Sequence, residues 1–244
     1  MDKKILTIGK AAKYLGVSVA ALRLWSNEGK IQPSNITPGG HRYYATDDLD
    51  RFAKSIVIMA KDWVYSQNPS EPQNECYCPD AQTFQSRLGK LETILKDLPV
   101  LGEEYSLISA MVGEMGNNSF DHNLGQWQDI RGIFFAYDPQ KRTIVLADRG
   151  QGILKTLRRV RPQIRDDQEA LKIAFTEVLS GRAPESRGNG LKFVRKIIKD
   201  EIKSVPIKLY FQTGSASLVL EQGNDYKMST PEKNISGCLI ILTY

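Results

Sequence analysis

An acidic residue at the end of an apolar run, followed closely by two glycines, is the feature that most restricts how this chain can fold. The run is Thr143–Ala147, and Asp148-Arg149-Gly150-Gln151-Gly152 follows it. A short continuous apolar run next to turn residues is typical of a buried β-strand. Glycines let the backbone approach a ligand closely, because they carry no side chain. The pattern therefore predicts a buried strand that ends at a binding site.

A helix before this strand carries three polar residues on one face. The periodicity predicts a helix from Glu103 to about Leu124, with Glu114, Asn118 and His122 at i, i+4 and i+8. A carboxylate can act as a general base, an amide oxygen can coordinate Mg²⁺, and an imidazole can donate to a phosphate. Taken alone, such a stripe also fits a solvated helix face.

A second glycine-rich turn follows the strand. Its sequence is Ser186-Arg187-Gly188-Asn189-Gly190, and the predicted helix after it runs from Leu191 to about Ile202. Free N–H groups at the start of a helix suit phosphates, since the helix dipole is positive there. The pattern predicts a further helix over 81–98 and further strands over 132–137, 205–211, 215–221 and 237–243.

The N-terminal part contains two short helices joined by a glycine-containing turn. Gly16 ends the first helix and Ser18 is the predicted N-cap of the second, in which Val19 and Trp25 are expected to face inward. The pair Gly39-Gly40 predicts the tip of a hairpin. This order predicts a winged helix-turn-helix, whose second helix enters the major groove of DNA.

A polar stretch with two prolines divides the chain. Residues 67–74 lack large apolar side chains, which is typical of a linker. We therefore predict an N-terminal domain over 1–66, a linker over 67–80 and a C-terminal domain over 81–244.

The net charge of +5 is unevenly distributed. Residues 1–66 carry 10 basic and 6 acidic side chains, and residues 153–203 carry 13 and 7. These two blocks indicate anionic partners or, equally, solvated helix faces. Apolar runs fall far short of the ~18 residues that span a bilayer. The three cysteines make no disulfide framework. We expect a cytoplasmic protein without a membrane partner.

Residues 5 to about 55 resemble the MerR-type DNA-binding domain, in the variant found in excisionases. The resemblance rests on Ile8–Ala12, Leu15–Ser18, Leu22-Arg23, Trp25, Glu28–Ile31 and Pro38–Tyr44. It implies double-stranded DNA as a partner and a nucleoid-associated location. It also implies that the DNA contacts come from Arg23, His41, Arg42 and Tyr43. Relatives normally dimerise through a long helix after this domain, whereas here only a short helix, from Lys54 to about Tyr65, is expected. The sequence therefore leaves undecided whether the protein forms a homodimer.

Residues 85–244 resemble the ATP-binding domain of the GHKL superfamily. The resemblance rests on three boxes in order: E-x-x-x-N-x-x-x-H from Glu114, D-x-G-x-G from Asp148, and G-x-G-L from Gly188. It implies a Bergerat fold, which is an α/β sandwich with a mixed, mostly antiparallel sheet and helices on one face. It also implies ATP and Mg²⁺ as cofactors. The expected fold class of the whole chain is therefore α+β.

The resemblance assigns a role to each box. Asn118 would coordinate Mg²⁺, Glu114 would be the catalytic residue that polarises a water or hydroxyl, and Asp148 would accept the adenine amino hydrogen. Residues 154–187 would form a basic lid, from which Arg182 or Arg187 could reach the γ-phosphate. The lid could instead be a solvated or DNA-facing surface. The other predicted nucleotide-binding residues are His122, Gly150, Gly152, Gly188, Asn189 and Gly190.

The sequence thus favours an ATP-binding, DNA-binding regulator, in which Mg-ATP binding, with slow hydrolysis at most, changes DNA or partner binding. One alternative is a protein Ser/Thr kinase of the anti-sigma type. Another is an ATPase of a mobile-element or defence operon. A conventional histidine kinase is disfavoured, because the 81–98 helix carries no phosphoacceptor histidine. Either regulator or kinase could act on a protein encoded nearby.

Overall fold

The computed structural model describes residues 4–15, 17–27, 29, 31–53, 55–178 and 190–244. They form a small N-terminal helix-turn-helix region and a larger antiparallel sheet covered by helices. This arrangement confirms the predicted α+β class.

The described residues of the head (residues 4–53) form three short strands and three helices. These elements are β1 (Ile5–Thr7), α1 (Ile8–Leu15), α2 (Val19–Asn27), β2 (Asn35–Ile36), β3 (Arg42–Ala45) and α3 (Thr46–Ala53). The Ser18 hydroxyl accepts a hydrogen bond from the N–H of Ala21 at 3.1 Å, which caps α2 as predicted. Trp25 is buried, whereas Val19 at the first position of α2 is 37% exposed, so the inward prediction for Val19 is wrong.

The C-terminal sheet has seven strands in the part of the chain that is described. Their order is β4-β5-β6-β10-β7-β8-β9, and every neighbouring pair is antiparallel. The strands are β4 (Tyr77–Cys78), β5 (Ile133–Asp138), β6 (Thr143–Asp148), β7 (Lys208–Gly214), β8 (Ala216–Glu221), β9 (Lys227–Ser229) and β10 (Ile235–Thr243).

Helices accompany this sheet along the chain. They are α4 (Ser55–Tyr65), α5 (Ala81–Lys96), a 3₁₀ helix (Pro99–Glu104), α6 (Tyr105–Asn123), α7 (Gly152–Arg158), α8 (Asp167–Thr176) and α9 (Gly190–Lys196). The helix predicted from Leu191 to about Ile202 changes character after Lys196, because Ile197–Glu201 form a π-helical turn.

Successive side chains of a strand point to opposite faces of the sheet. In this sheet, both faces carry buried apolar side chains. Leu146 on one face packs in the main core with α5, α6, α8 and α9. Val145 and Ala147 on the other face pack with Ala60 and Trp63 of α4. The helices predicted for one face are therefore joined by α4 on the opposite face.

Two elements that precede the predicted C-terminal domain in sequence belong to its sheet or pack on it. Helix α4 falls within the stretch predicted as the N-terminal domain, yet it packs on the C-terminal sheet. Strand β4 falls within the stretch predicted as a linker, and it pairs with β5 through Tyr77–Phe134 and Cys78–Ile133. Packing against strands that are distant in sequence explains both differences.

The head meets the C-terminal domain through α3 and α4. Lys141, in the turn between β5 and β6, donates from Nζ to the main-chain oxygen of Asp50 in α3 at 2.7 Å. A cavity of about 570 Å³ lies between the head and the C-terminal domain, with Trp25 on one side and Arg87 and Tyr137 on the other. Helix α4 follows the head along the chain and packs on the C-terminal sheet.

Within the described residues, no helix has both the length and the apolar composition that a membrane span requires.

Candidate functional site

A cavity beside the end of β6 collects several of the residues that the sequence singled out in the C-terminal domain. Its polar lining includes Glu114, Asn118 and His122 from α6, together with Asp148 from β6. Apolar side chains also line the cavity; among them are Met115, Ile153, Leu157, Leu191, Phe211 and Ile240. An apolar pocket with a few convergent polar groups is the usual form of a small-molecule site.

Asp148 is the buried acid of this cavity. Its side chain is 2% exposed. Oδ2 accepts from the Ser119 hydroxyl at 2.8 Å, and Oδ1 accepts from the Gly150 N–H at 2.9 Å and from Asn123 Nδ2 at 3.3 Å. Every one of these neighbours donates, so the site is built around a hydrogen-bond acceptor.

Burial raises the pKa of Asp148 to about 6, because an ionised carboxylate loses its hydration there. The hydrogen bonds from Gly150, Ser119 and Asn123 act in the opposite direction, since they stabilise the charged form. An acid whose pKa is shifted in a cavity is a candidate functional group.

The helix stripe predicted on α6 lies along the same cavity. Asn118 Nδ2 donates to Glu114 Oε1 at 3.2 Å, which leaves the Asn118 carbonyl oxygen for a cation. The main-chain oxygen of His122 accepts from Gln151 Nε2, which ties this turn of α6 to the glycine box after β6. The sequence prediction that these side chains share one helix face is confirmed.

Two glycines of the predicted boxes lie where a side chain would not fit. A Cβ on Gly150 would come within 2.1 Å of the Asn123 side chain, and one on Gly190 within 1.8 Å of Glu114 Oε1. Gly152 has φ +73°, a conformation that L side chains rarely adopt. Because Gly150 and Gly190 have no side chains, the turn after β6 and the start of α9 can pack closely against α6.

Part of the predicted phosphate loop falls outside the described residues. Arg187, Gly188 and Asn189 lie there, as does Arg182, while Gly190 begins α9 at the cavity. The cavity formed by the described residues measures about 100 Å³, less than the roughly 300–1,000 Å³ usual for ligand pockets. This volume suits a small group rather than a large ligand.

Sequence reasoning missed several residues that position Asp148. Ser119 and Asn123 bond its carboxylate, and their i, i+4 spacing on α6 was the available signal. Thr213 donates to the main-chain oxygen of Gly237 at 3.0 Å, next to the box. A Cβ on Gly237 would lie 2.2 Å from the main-chain oxygen of Asp148, and a glycine inside an apolar strand is the corresponding signal.

The head presents a second candidate surface on α2 and the wing formed by β2 and β3. Arg23 is exposed on α2, and His41 is exposed beside the hairpin tip. The tip is a tight turn in which the N–H of Gly40 donates to Thr37 O at 2.8 Å, with Gly40 at φ +76°. Tyr43 on β3 is half-buried. The four residues predicted to contact DNA thus come from two adjacent elements.

Arg42 joins these two elements. Its guanidinium donates to the main-chain oxygen of Arg23 at 3.2 Å and to Asn27 Oδ1 at 2.6 Å. A cation at this position complements the C-terminal end of α2. Arg42 therefore fixes the wing against α2, whether or not it also reaches a phosphate.

Fold and surface together place the N-terminal part among winged helix-turn-helix domains. Residues 7–44 match the model of a family described as MerR family regulatory protein. This match covers the segment from the end of β1 to β3 and indicates a DNA-binding regulator with DNA as a partner. None of the curated proteins compared with the chain matches it.

Proposed function

We propose that this protein is a DNA-binding regulator whose C-terminal domain binds ATP with Mg²⁺. Nucleotide binding then changes how the head binds DNA or how the protein binds a partner. The observation that carries the proposal is the convergence of Glu114 and Asn118 from α6, Asp148 from β6 and Gly190 from α9 on one cavity, from three separate places in the sequence.

The buried acceptor Asp148 and the apolar walls around it fit the adenine end of ATP. The adenine amino group is a donor, and Asp148 is a buried acceptor with apolar walls around it. Asp148 Oδ2 accepts from the Ser119 hydroxyl at 2.8 Å, and a carboxylate oxygen can accept more than one hydrogen bond. Asp148 would therefore bind the base and set its orientation.

The side-chain oxygens of Asn118 and Glu114 also fit an Mg²⁺ ion that is bound together with phosphates. Mg²⁺ usually binds one or two protein oxygens plus substrate phosphates rather than a cage of protein ligands. Asn118 would supply its carbonyl oxygen, and Glu114 lies beside it with Oε1 3.2 Å from Asn118 Nδ2. When bound, the ion would supply charge neutralisation at the phosphates, and Glu114 would hold a water or hydroxyl near them.

The test of the nucleotide site is the variant Asp148→Asn. We expect ATP affinity to fall by about 10- to 100-fold, because a hydrogen bond to a charged group contributes about 1.5–3 kcal/mol. Isothermal titration with ATP and Mg²⁺ gives the affinities. Asp138→Asn is the matched control, since Asp138 is also buried and ends the neighbouring strand β5 away from this cavity. Equal affinity in the wild type and Asp148→Asn would contradict the site.

Turnover is a separate question from binding. Incubation with γ-labelled ATP and the products of neighbouring genes distinguishes the alternatives. Label on a protein supports the Ser/Thr kinase, release of free phosphate supports an ATPase, and neither supports a nucleotide-sensing regulator. Glu114→Gln should abolish either activity while ATP remains bound.

A further inference from the structure

The residue after Asp148 has a side chain that points to the opposite side of the sheet. Successive residues of a strand alternate, so Asp148 faces the cavity while Arg149 continues the row of Val145 and Ala147 that packs on α4. Arg149 is 6% exposed. A buried guanidinium needs partners for its charge and for its five N–H groups.

All five donors of Arg149 have partners. Nε and Nη2 donate to the carboxylate of Asp129, with the Nη2–Oδ2 distance at 2.7 Å. Nη1 donates to the main-chain oxygens of Trp63 at 2.7 Å and Val64 at 3.0 Å, and Nη2 also donates to that of Ser66 at 3.1 Å. The guanidinium also lies 6.0 Å from the centre of the Trp63 ring.

These contacts cap the C-terminal end of α4. The last carbonyl groups of a helix have no partner within the helix, and the helix dipole is negative there. Arg149 supplies both the donors and the positive charge. Burial opposes ionisation of Asp129, but the hydrogen bonds from Arg149 and from the Ile130 N–H, together with the charge of Arg149, outweigh burial and lower the pKa of Asp129.

Helix α4 in turn leads to the head. It begins at Ser55, two positions after the last residue of α3 (Thr46–Ala53). Its Ala60 and Trp63 pack on the sheet. The residue next to Asp148 is thus bonded to the end of the helix that follows the head.

We propose that Arg149 is a positioning residue that transmits occupancy of the Asp148 cavity to the DNA-binding head through α4. The proposal rests on the proposed function, because it assumes a ligand in that cavity. The carboxylate that would hold the base and the guanidinium that holds α4 belong to adjacent residues, and the Gly150 N–H bonded to Asp148 makes this turn compact. Ligand contact with Asp148 is thereby coupled to the end of α4.

The test compares DNA affinity with and without Mg-ATP in the wild type and in Arg149→Lys. Lysine keeps the charge but lacks the planar fork that reaches four groups at once. We expect the wild-type ratio of the two DNA affinities to differ from one by about 5-fold or more, as is typical of allosteric coupling. In Arg149→Lys the ratio should approach one, while the affinity for ATP remains within about 2-fold of the wild type.

Arg195→Lys is the matched control. Arg195 also pairs with an aspartate, Asp225, at 2.8 Å and also lies over an aromatic ring, Tyr226. It has no described contact with α4, so its replacement should leave the ratio unchanged. Asp129→Asn is a second test variant, because it keeps the shape of the pair and removes the charge that orients Arg149.

Hydrogen exchange on the wild type gives a readout that needs no variant. Mg-ATP should change the exchange of the last amides of α4. A wild type that does not bind ATP overturns the proposed function, and this inference with it. If the DNA affinity of the wild type responds to ATP, two results would overturn this inference and leave the proposed function standing. One is a full response in Arg149→Lys, and the other is unchanged hydrogen exchange in α4.

Discussion

Asp148 should make ligand binding depend on pH. Its pKa is raised to about 6, so the carboxylate is mostly ionised above pH 6 and mostly protonated below it. The ionised form accepts from all its neighbours and from an incoming amino group, whereas the protonated form carries a donor that conflicts with them. We expect binding to be constant above about pH 7 and to weaken below pH 6, up to about tenfold per pH unit.

Adenosine is the ligand for this measurement, because the phosphates of ATP titrate in the same range. Fluorescence or calorimetric titrations between pH 5 and pH 8 give the profile. A flat profile would show that ionisation of Asp148 does not contribute to binding the base.

Arg42→Ala should weaken DNA binding on every sequence. The side chain holds the wing to α2 through Arg23 O and Asn27, and it is predicted to reach a phosphate. Removal of one phosphate contact lowers the slope of log affinity against log salt by about 1. Fluorescence anisotropy over a range of salt concentrations measures both effects.

Asn27→Ala separates the two roles of Arg42. It removes one partner that positions the guanidinium but keeps the charge. If Arg42 contacts a phosphate, the salt slope falls in Arg42→Ala and stays at the wild-type value in Asn27→Ala. Equal slopes in the wild type and Arg42→Ala would leave Arg42 a purely internal role.

Single residues were predictable where a local pattern exposes them. The helical spacing of Glu114 and Asn118 and the glycines after Asp148 were visible in the sequence, and the structure brings Glu114, Asn118, Asp148 and Gly152 to one cavity. The contacts of Arg149 were not predictable, because most of its partners are main-chain oxygens more than 80 positions away. Such partners leave no mark in residue type or spacing.

At the scale of elements, α5 and α6 pack closely because α6 carries small residues at the contact. A Cβ on Gly116 would lie 2.1 Å from the ring of Phe84, which is fully buried. We expect Gly116→Ala to lower the free energy of unfolding by up to about 2 kcal/mol. Overpacking costs about 1–3 kcal/mol, which exceeds the gain in helix propensity.

Gly89→Ala in α5 is the matched control for this prediction. Nothing lies within 4 Å of a Cβ at Gly89, so alanine should stabilise the helix by roughly 0.5–1 kcal/mol. Urea unfolding of both variants measures the difference. A Gly116→Ala protein as stable as Gly89→Ala would mean that the two helices separate at little cost.

Elements with a strong period were predicted well, and those defined by distant partners were not. Helix α6 was expected from Glu103 to about Leu124 and is observed as Tyr105–Asn123, because its apolar stripe is local information. Strand β4 has two residues and exists through pairing with β5. Helix α4 was expected after the head, but the surface that it covers comes from β6 and β10.

At the scale of the whole molecule, α4 belongs by packing to the C-terminal domain. Its Trp63 and Val64 are buried with Phe134 and Leu239 of the sheet. We therefore expect a fragment over 55–244 to fold with its sheet covered. A fragment over 81–244 lacks α4 and β4, so this sheet face is exposed and Arg149 loses its helix partners.

Comparison of the two fragments tests this division of the chain. Burying a large apolar side chain contributes about 1.5–3 kcal/mol, so loss of Trp63 and Val64 alone should cost on the order of 3–6 kcal/mol. Urea unfolding measures stability, and binding of an apolar dye measures the exposed face. Trp63→Ala in the full chain is the internal control and should reproduce part of the loss. Equal unfolding midpoints for the two fragments would show that α4 is an appendage of the head and that the domain boundary lies after it.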